Sequence, residues 1–441
     1  MIYNEHKLVR CITVCCAGWG SVKKYLVLTV GGSCEPLVTS INQIEPNHTV
    51  FVCSEKSVSM IKGVGKVCIS SSPPPPPPDL PNIPTQAGLD QGAYETVVLD
   101  SPDDLDACYK TILDTIKSIR TEDNDAEIIV DYTGGTKTMT AAAVLAALSI
   151  EGVELKVVTG QRTDLRQVVS GTQVLTAVRR MYIDFERVKS ECNKMLERYE
   201  YASAESILED FLAESTIDAS IERKVTDWVS ICRGFDAWDR FDHARARDLL
   251  GRKVPGEYLY FLGGIASSSE KKAWETKAGY LLVKDLMANA ERRAAQGRYD
   301  DAIGRHYRAA ELVVQTYLFN TFGISTSKVP ADKLPDDLKH KANSDGIAKL
   351  GLCDAWRLAE HLDQDLVGWY KDWKEKIKGA VNMRNKSLFA HGSTPISKAD
   401  YNNDTEKGIA AFVRAAMDYF ESRGIWGKIV ELPPFPTKLP E

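Results

Sequence analysis

Two clusters in this chain have residue types and spacings that could do chemistry. The first is Asp131-Tyr132-Thr133-Gly134-Gly135-Thr136-Lys137. An apolar run from Glu127 to Val130 leads into it, and an alanine-rich run from Ala141 to Ala147 leads out. That order reads as strand, glycine turn, helix start. Two glycines let the backbone bend sharply and approach a ligand closely. Thr136 and Lys137 then fall at a helix N-terminus, where unpaired N–H groups and the helix dipole favour anions. The chemistry implied is capture of a phosphate-bearing ligand at the carboxyl end of a parallel strand. A tight strand-to-helix turn with a solvated lysine is the plainer alternative. The turn is not a P-loop, because Thr136 separates Gly135 from Lys137. No G-x-G-x-x-G follows the first strand, so no dinucleotide cofactor is expected.

The second cluster is Arg384, Asn385 and His391. Trp373, Ile377, Val381 and Leu388 form an apolar stripe along an expected helix from Lys371 to Ala390. Arg384 and His391 fall on that same stripe. They lie about 10.5 Å apart along the axis if the helix persists. Gly392 reads as the glycine that ends it. A helix C-terminus favours the charged imidazole, and an imidazole near its midpoint suits proton transfer. From Lys371 to His391 there are six Lys or Arg against two acids, in a chain of net charge −6. An anionic substrate fits that bias. The alternative is a solvated lysine face with a structural bridge from Arg384 to Glu311.

The elements that must position the first cluster are strands alternating with helices. Tyr25 to Val30, Thr49 to Cys53, Glu95 to Leu99, Glu127 to Val130 and Glu154 to Val158 are β-branched, apolar runs. Helices are expected over Pro36 to Ile44, Asp103 to Arg120 and Thr136 to Ile150, and a last strand within Gln167 to Val178. This is an α/β, Rossmann-like domain with a mainly parallel sheet. Its polar turns, Gly31-Gly32-Ser33, Ser54, Gly134 to Lys137 and Gly160 to Arg162, all lie on one edge of that sheet. Open α/β sheets bind ligands along that edge. After Arg180 only helical patterns remain, expected over Ile183 to Phe211, over 234–250, and over Tyr299 to Phe319. His243 has no partner at ligand spacing and reads as a surface or core histidine.

At 441 residues, with 44% hydrophobic and 26% charged residues, several ordinary globular domains are expected. The expected division is a leader (1–24), the Rossmann-like domain (25–180), a helical connector (181–285), a second helical domain (286–425) and a tail (426–441). A proline-rich inserted loop occupies 71–93, with six consecutive prolines from Pro73 to Pro78. Ten cysteines without C-x-x-C or zinc spacing point to a reducing, cytoplasmic setting and to no metal site. No apolar stretch reaches the roughly 18 residues of a membrane span.

Together the two clusters resemble a family. The glycine turn in a Rossmann-like domain resembles the CARF sensor of type III CRISPR ancillary proteins. Arg384-Asn385 … His391 in a C-terminal helical domain resembles the R-x4–6-H motif of HEPN ribonucleases. The order is similar to that of CRISPR-associated CARF–HEPN effectors, over roughly Tyr25 to Phe420. The resemblance implies a homodimer whose sensor binds a cyclic oligoadenylate, tetra-adenylate favoured. Gly31, Gly32, Ser33, Ser54, Gly134, Gly135, Thr136, Lys137 and Arg162 would line that site. Binding would switch on cleavage of single-stranded RNA without metal, through Arg384, Asn385 and His391. Attack by the RNA 2′-OH would leave a 2′,3′-cyclic phosphate. Three alternatives stand beside it. The sensor could degrade its own activator, the helical half could serve only for dimerisation, or the nuclease could need no activator.

Overall fold

The computed structural model describes residues 22–62, 81–161, 171–214, 217–266, 275–276, 278–385, 392–426 and 430–441. The chain divides into two compact units, Met1–Arg179 and Arg180–Glu441.

The first unit is a three-layer α/β sandwich. Its strands are β1 (Lys24–Thr29), β2 (His48–Ser54), β3 (Tyr94–Leu99), β4 (Glu127–Asp131), β5 (Val153–Thr159) and β6 (Val174–Ala177). Their spatial order is β3-β2-β1-β4-β5-β6. All neighbours are parallel except β5 and β6. Helices α1 (Glu35–Ile44), α2 (Ile83–Gln86), α3 (Leu105–Glu122) and α4 (Lys137–Leu148) cover the two faces. Side chains alternate across the pleat, so Leu26 and Leu28 of β1 pack in the cluster with Leu37 and Ile41 of α1. Val27 packs with Ile112 and Ile116 of α3 and Ala142 of α4. Burial on both faces explains the continuous apolar runs in the sequence.

The expected last strand is short and antiparallel, and most of it is exposed. The hexaproline run lies outside the described residues. Beyond it, the expected loop contains α2: Asn82 caps this helix by accepting from the Thr85 N–H, and Ile83 is fully buried.

The second unit is helical. It runs α5 (Met181–Leu196), α6 (Tyr201–Glu214), α7 (Ala219–Asp239), α8 (His243–Leu250), α9 (Gly256–Ala266), α10 (Ala278–Ala295) and α11 (Tyr299–Phe322). A two-stranded ribbon follows, β7 (Val329–Pro330) with β8 (Ile347–Ala348). Then come α12 (Leu352–Leu362), α13 (Leu366–Lys371), α14 (Lys374–Asn385), α15 (Lys398–Lys407) and α16 (Ile409–Ser422). Three expected helices are each broken. The first stops at Tyr199, with φ of 58°. The second turns at Phe241, with φ of 65°, and Asp242 caps α8 by accepting from the Arg245 N–H. The third breaks after Lys371. Trp373 sits in that turn, its ring tilted against Trp369 and Phe412.

Two apolar cores form in this unit. One gathers α5 to α9. The other gathers α10 to α14 and α16 around Trp356, Phe412 and Phe420. The expected tail is part of the first core. Phe435 and Leu439 are buried there. Tyr258, Tyr201 and Trp228 donate to the carbonyls of Pro434, Pro436 and Pro440 at 2.6, 2.8 and 3.0 Å. This segment forms no helix or strand, so its carbonyls need other partners, and the aromatic donors supply them. The Arg292 guanidinium lies 3.7 Å from the Phe435 ring centroid. Replacing Phe435 by Ala should therefore destabilise this unit by roughly 3 kcal/mol. Guanidinium unfolding followed by tryptophan fluorescence checks this; an unchanged midpoint would refute the packing role.

Candidate functional site

The first site is built where the strand order reverses. β1 and β4 are neighbours, and their chain continuations leave in opposite senses, toward α1 and α4. That crevice is the general ligand position of open α/β sheets. Here the two loops touch backbone to backbone. A Cβ on Gly31 would lie 2.7 Å from the Gly135 nitrogen, and one on Gly134 would lie 2.4 Å from the Thr29 carbonyl oxygen. Gly135 has φ of 95°, a conformation that favours glycine. Gly32, by contrast, has nothing within 4 Å of a Cβ position.

Hydroxyls and one carboxylate brace the β4 loop. Thr29 Oγ1 donates to the Gly134 carbonyl at 2.5 Å. Asp131 is fully buried and accepts from the Thr133 N–H at 2.8 Å and from the Thr133 hydroxyl. Thr133 Oγ1 in turn accepts from the Val158 N–H at 2.8 Å, tying the loop to β5. Burial pushes the Asp131 carboxyl above its ordinary range, with Ser40 and Thr133 opposing. Ser40 lies beside the carboxylate, yet neither Ser40 Oγ nor Asp131 Oδ2 completes a hydrogen bond of good geometry.

Among the described residues, the N–H groups of Gly31, Gly32, Ser33, Gly135, Thr136 and Lys137 donate to no group of the chain. Six unpaired donors around one crevice, with the α4 N-terminus behind them, form a nest for an anion. Lys137 is exposed beside it.

The other expected ligand residues are placed differently. The Thr136 hydroxyl caps α4, accepting from the Met139 N–H at 3.2 Å, and donates to the Pro102 carbonyl at 2.9 Å. Ser54 Oγ is 3.0 Å from Ser57 Oγ and also accepts from the Ser57 N–H. Both hydroxyls are thus already engaged, Ser54 in its own turn and Thr136 by the α4 cap and the Pro102 carbonyl. Arg162 lies outside the described residues. Neither the brace on Gly134 nor the buried Asp131 was read from the sequence, although Thr29 and Asp131 stand at the ends of their strands.

The second site lies on α14. Ile377 is buried and Val381 packs against the core, as the stripe requires. Arg384 stands in the last turn of α14, and Asn385, half-buried, ends it. The Arg384 side chain and residues 386–391, including His391, lie outside the described residues. The local positive charge is smaller than the sequence count. Lys374 is 3.4 Å from Glu360 and Lys378 is 2.7 Å from Glu375, while Lys376 sits 4.6 Å from the Trp373 ring centroid. Glu311 pairs with Arg308 on its own helix at 3.2 Å.

Two buried histidines pair with acids far away in sequence. His243 Nε2 is 2.7 Å from Asp285 Oδ2, which also accepts from the Trp238 indole at 3.1 Å. His306 Nδ1 is 2.8 Å from Asp404 Oδ2, and Asp404 Oδ1 accepts from the Ile409 N–H at 2.7 Å. These tie helices together. Among the described residues there is no group of His, Cys, Asp or Glu that could hold a metal, and no helix long and apolar enough to cross a membrane.

Comparison with known proteins bears on both halves. A family model described as the Csm6 HEPN domain matches residues 271–415, a range that includes Arg384 and His391. Csm6 of Enterococcus italicus bound to cyclic hexa-2′-fluoro-hexa-dAMP aligns in structure over 92% of this chain and 96% of its own. The TM-score is 0.58 and the identity 12%. VC1899 of Vibrio cholerae aligns over 47% of this chain and 65% of its own, at 8% identity and a TM-score of 0.23. Can2 of Sulfobacillus thermosulfidooxidans in complex with cyclic tetra-adenylate aligns over 52% and 68%, at 10% identity and a TM-score of 0.23. Scores that low carry no structural argument. No curated protein matches the chain in sequence. The chain thus carries a mostly parallel sheet followed by a helical region that matches the HEPN family model over residues 271–415. Over most of its length its fold is similar to that of Csm6 of Enterococcus italicus.

Two predictions follow from the first site. Gly134→Ala should cost several kcal/mol, because its methyl meets backbone that cannot yield. Gly32→Ala should melt like the wild type. Equal melting of both variants would refute the close approach. Asp131→Asn keeps the acceptor for Thr133 and removes the buried charge. The native Asp131 holds its proton more tightly than the unfolded chain does. Its stabilising contribution is therefore complete below the ordinary carboxylate range and is lost as pH rises through the raised native value. The melting temperature of Asp131→Asn relative to wild type should climb between pH 4 and pH 8; a flat difference would refute the assignment.

Proposed function

We propose that this chain is a cyclic-oligoadenylate-activated endoribonuclease of type III CRISPR defence. The observation that carries this reading is the HEPN match over residues 271–415, which holds Arg384, Asn385 and His391 at the family's spacing. The donor-lined crevice between the β1 and β4 loops supports the sensor half. It suits the phosphates of an adenylate ring, the kind of ligand that Csm6 of Enterococcus italicus carries.

RNA supplies its own nucleophile, the 2′-OH. Arg384 stabilises the charge that builds on the phosphorane oxygens. His391 moves or orients a proton, protonating the departing 5′-oxygen. Asn385 positions the phosphodiester. The products are a 2′,3′-cyclic phosphate and a 5′-hydroxyl, and DNA, lacking the 2′-OH, survives. This chemistry needs no metal.

A homodimer fits both halves. Beyond its Lys137, α4 carries no charged residue, yet Leu145 is 46% exposed and Leu105 of neighbouring α3 is 44% exposed. A helix apolar all round is ordinarily covered, and a second copy would cover this one. Arg384 and His391, seven residues apart in the sequence, would then contribute to sites composed from both chains. A ring on the dimer axis would bias their approach, which is what allosteric gating requires.

The test is cleavage of a single-stranded RNA in EDTA with cyclic tri-, tetra- or hexa-adenylate. One ring should activate. Arg384→Ala with His391→Ala should lower the activated rate on the order of 100- to 1,000-fold, with melting unchanged. Unchanged cleavage in the double variant, or none by wild type with any ring, would overturn the nuclease assignment.

A further inference from the structure

The Gly134–Gly135 peptide has one polar end turned inward and the other left open. Its carbonyl accepts from Thr29 Oγ1 at 2.5 Å, and Thr29 is 1% exposed. Thr140 Oγ1 also approaches that carbonyl, at 3.3 Å, but bonds better to the Thr136 carbonyl at 2.9 Å. Thr29 is thus the principal pin. In a trans peptide the N–H points opposite to the C=O. Pinning the Gly134 carbonyl into the protein therefore turns the Gly135 N–H outward. The Gly135 nitrogen lies 2.7 Å from the position that a Cβ on Gly31 would fill, so the missing side chain at Gly31 keeps that space open. Among the described residues the Gly135 N–H has no partner.

Apart from the longer Thr140 contact, nothing among the described residues holds this peptide in that sense. Gly135 has φ of 95° and no side chain, so the peptide could flip at small steric cost without the pin. A flip would present a carbonyl oxygen to the ligand in place of a donor. For an anion that exchanges an attraction for a repulsion.

We infer that Thr29 is a positioning residue: its buried hydroxyl fixes the Gly134–Gly135 peptide so that the Gly135 N–H faces a phosphodiester of the bound ring. The inference rests on the proposed sensor function and names the part of the ligand this loop reads. It reads phosphate oxygen rather than base edges. Thr29 does not itself touch the ligand, because it is buried beneath the loop.

The experiment uses the full chain and three variants. Thr29→Val keeps the shape and loses the donor. Thr29→Ser keeps the donor. Thr29→Ala loses the donor without adding bulk, and serves if the valine variant melts too low to assay. Affinity for the cyclic adenylate that activates wild type is measured by titration calorimetry, and RNA cleavage is measured at saturating ring. The valine and alanine variants should bind at least tenfold more weakly. The serine variant should stay within about threefold of wild type. Maximal cleavage at saturating ring should be the same in all of them. Wild-type affinity in Thr29→Val or Thr29→Ala overturns the inference and leaves the sensor function standing. So does an equal loss in the serine and valine variants, which would mark a merely structural threonine. Failure of wild type to bind any ring removes the sensor function, and this inference with it.

Discussion

The candidate site depends on the contact between two bare stretches of backbone. The β1 and β4 loops meet at Gly31 and Gly134, where a single added methyl would overlap main-chain atoms, and at Gly135, whose φ of 95° favours glycine. Main chain cannot move aside as a flexible side-chain tip can. The contact therefore requires glycine at each position, and it requires β1 and β4 to be neighbours in register. Leu28 pairs with Asp131, so the two strands end together and release their loops at one height. The donor-lined crevice follows from that register. So does the need for braces: glycine peptides held this way are soft, and Thr29, Thr133 and Asp131 stiffen them.

The braces account for a buried acid beneath the donor-lined crevice. A charge at Asp131 would repel a phosphate and is costly without water. Burial raises its affinity for a proton, and the Thr133 bonds give it enough partners to stay. The residue serves loop geometry more than local charge. The positive character of the site comes from oriented N–H groups and the start of α4, with Lys137 as the one nearby cation of the loop.

The helical unit solves a different problem. Its two apolar cores meet at α7 and α10, and the layer there is polar. Asp239 accepts from Arg292 Nε and Asn289 Nδ2, both at 2.8 Å, and from Arg293. Asp285 holds His243 and Trp238. Such buried pairs add little net stability, but removing one partner costs roughly 3–5 kcal/mol. They fix how α10 sits on α7. Because α10 packs along α11, this layer sets the frame on which the core of the second helical group is built.

The sequence alone determined the parts governed by local pattern. Apolar β-branched runs of five or six residues are doubly covered strands whatever their order. The glycine turn between β4 and α4 is a helix start, because Thr136 can cap it. The stripe through Ile377, Val381 and Arg384 is a helix face, because its spacing is that of a helix. Helix ends were misread where one tertiary contact outweighed propensity: Trp373 leaves the helix to lie against Phe412, and Phe241 turns so that Asp242 can cap α8. Only the tertiary structure decided which loops meet. It brought Thr29 to Gly134 across 105 residues, His243 to Asp285 across 42, and His306 to Asp404 across 98. No spacing rule reaches that far, since strand order and helix packing set these distances. It also spent the Thr136 hydroxyl on the α4 cap and the Ser54 hydroxyl on its own turn. A sequence shows that a hydroxyl is present; the fold decides whether its hydrogen bonds are already taken.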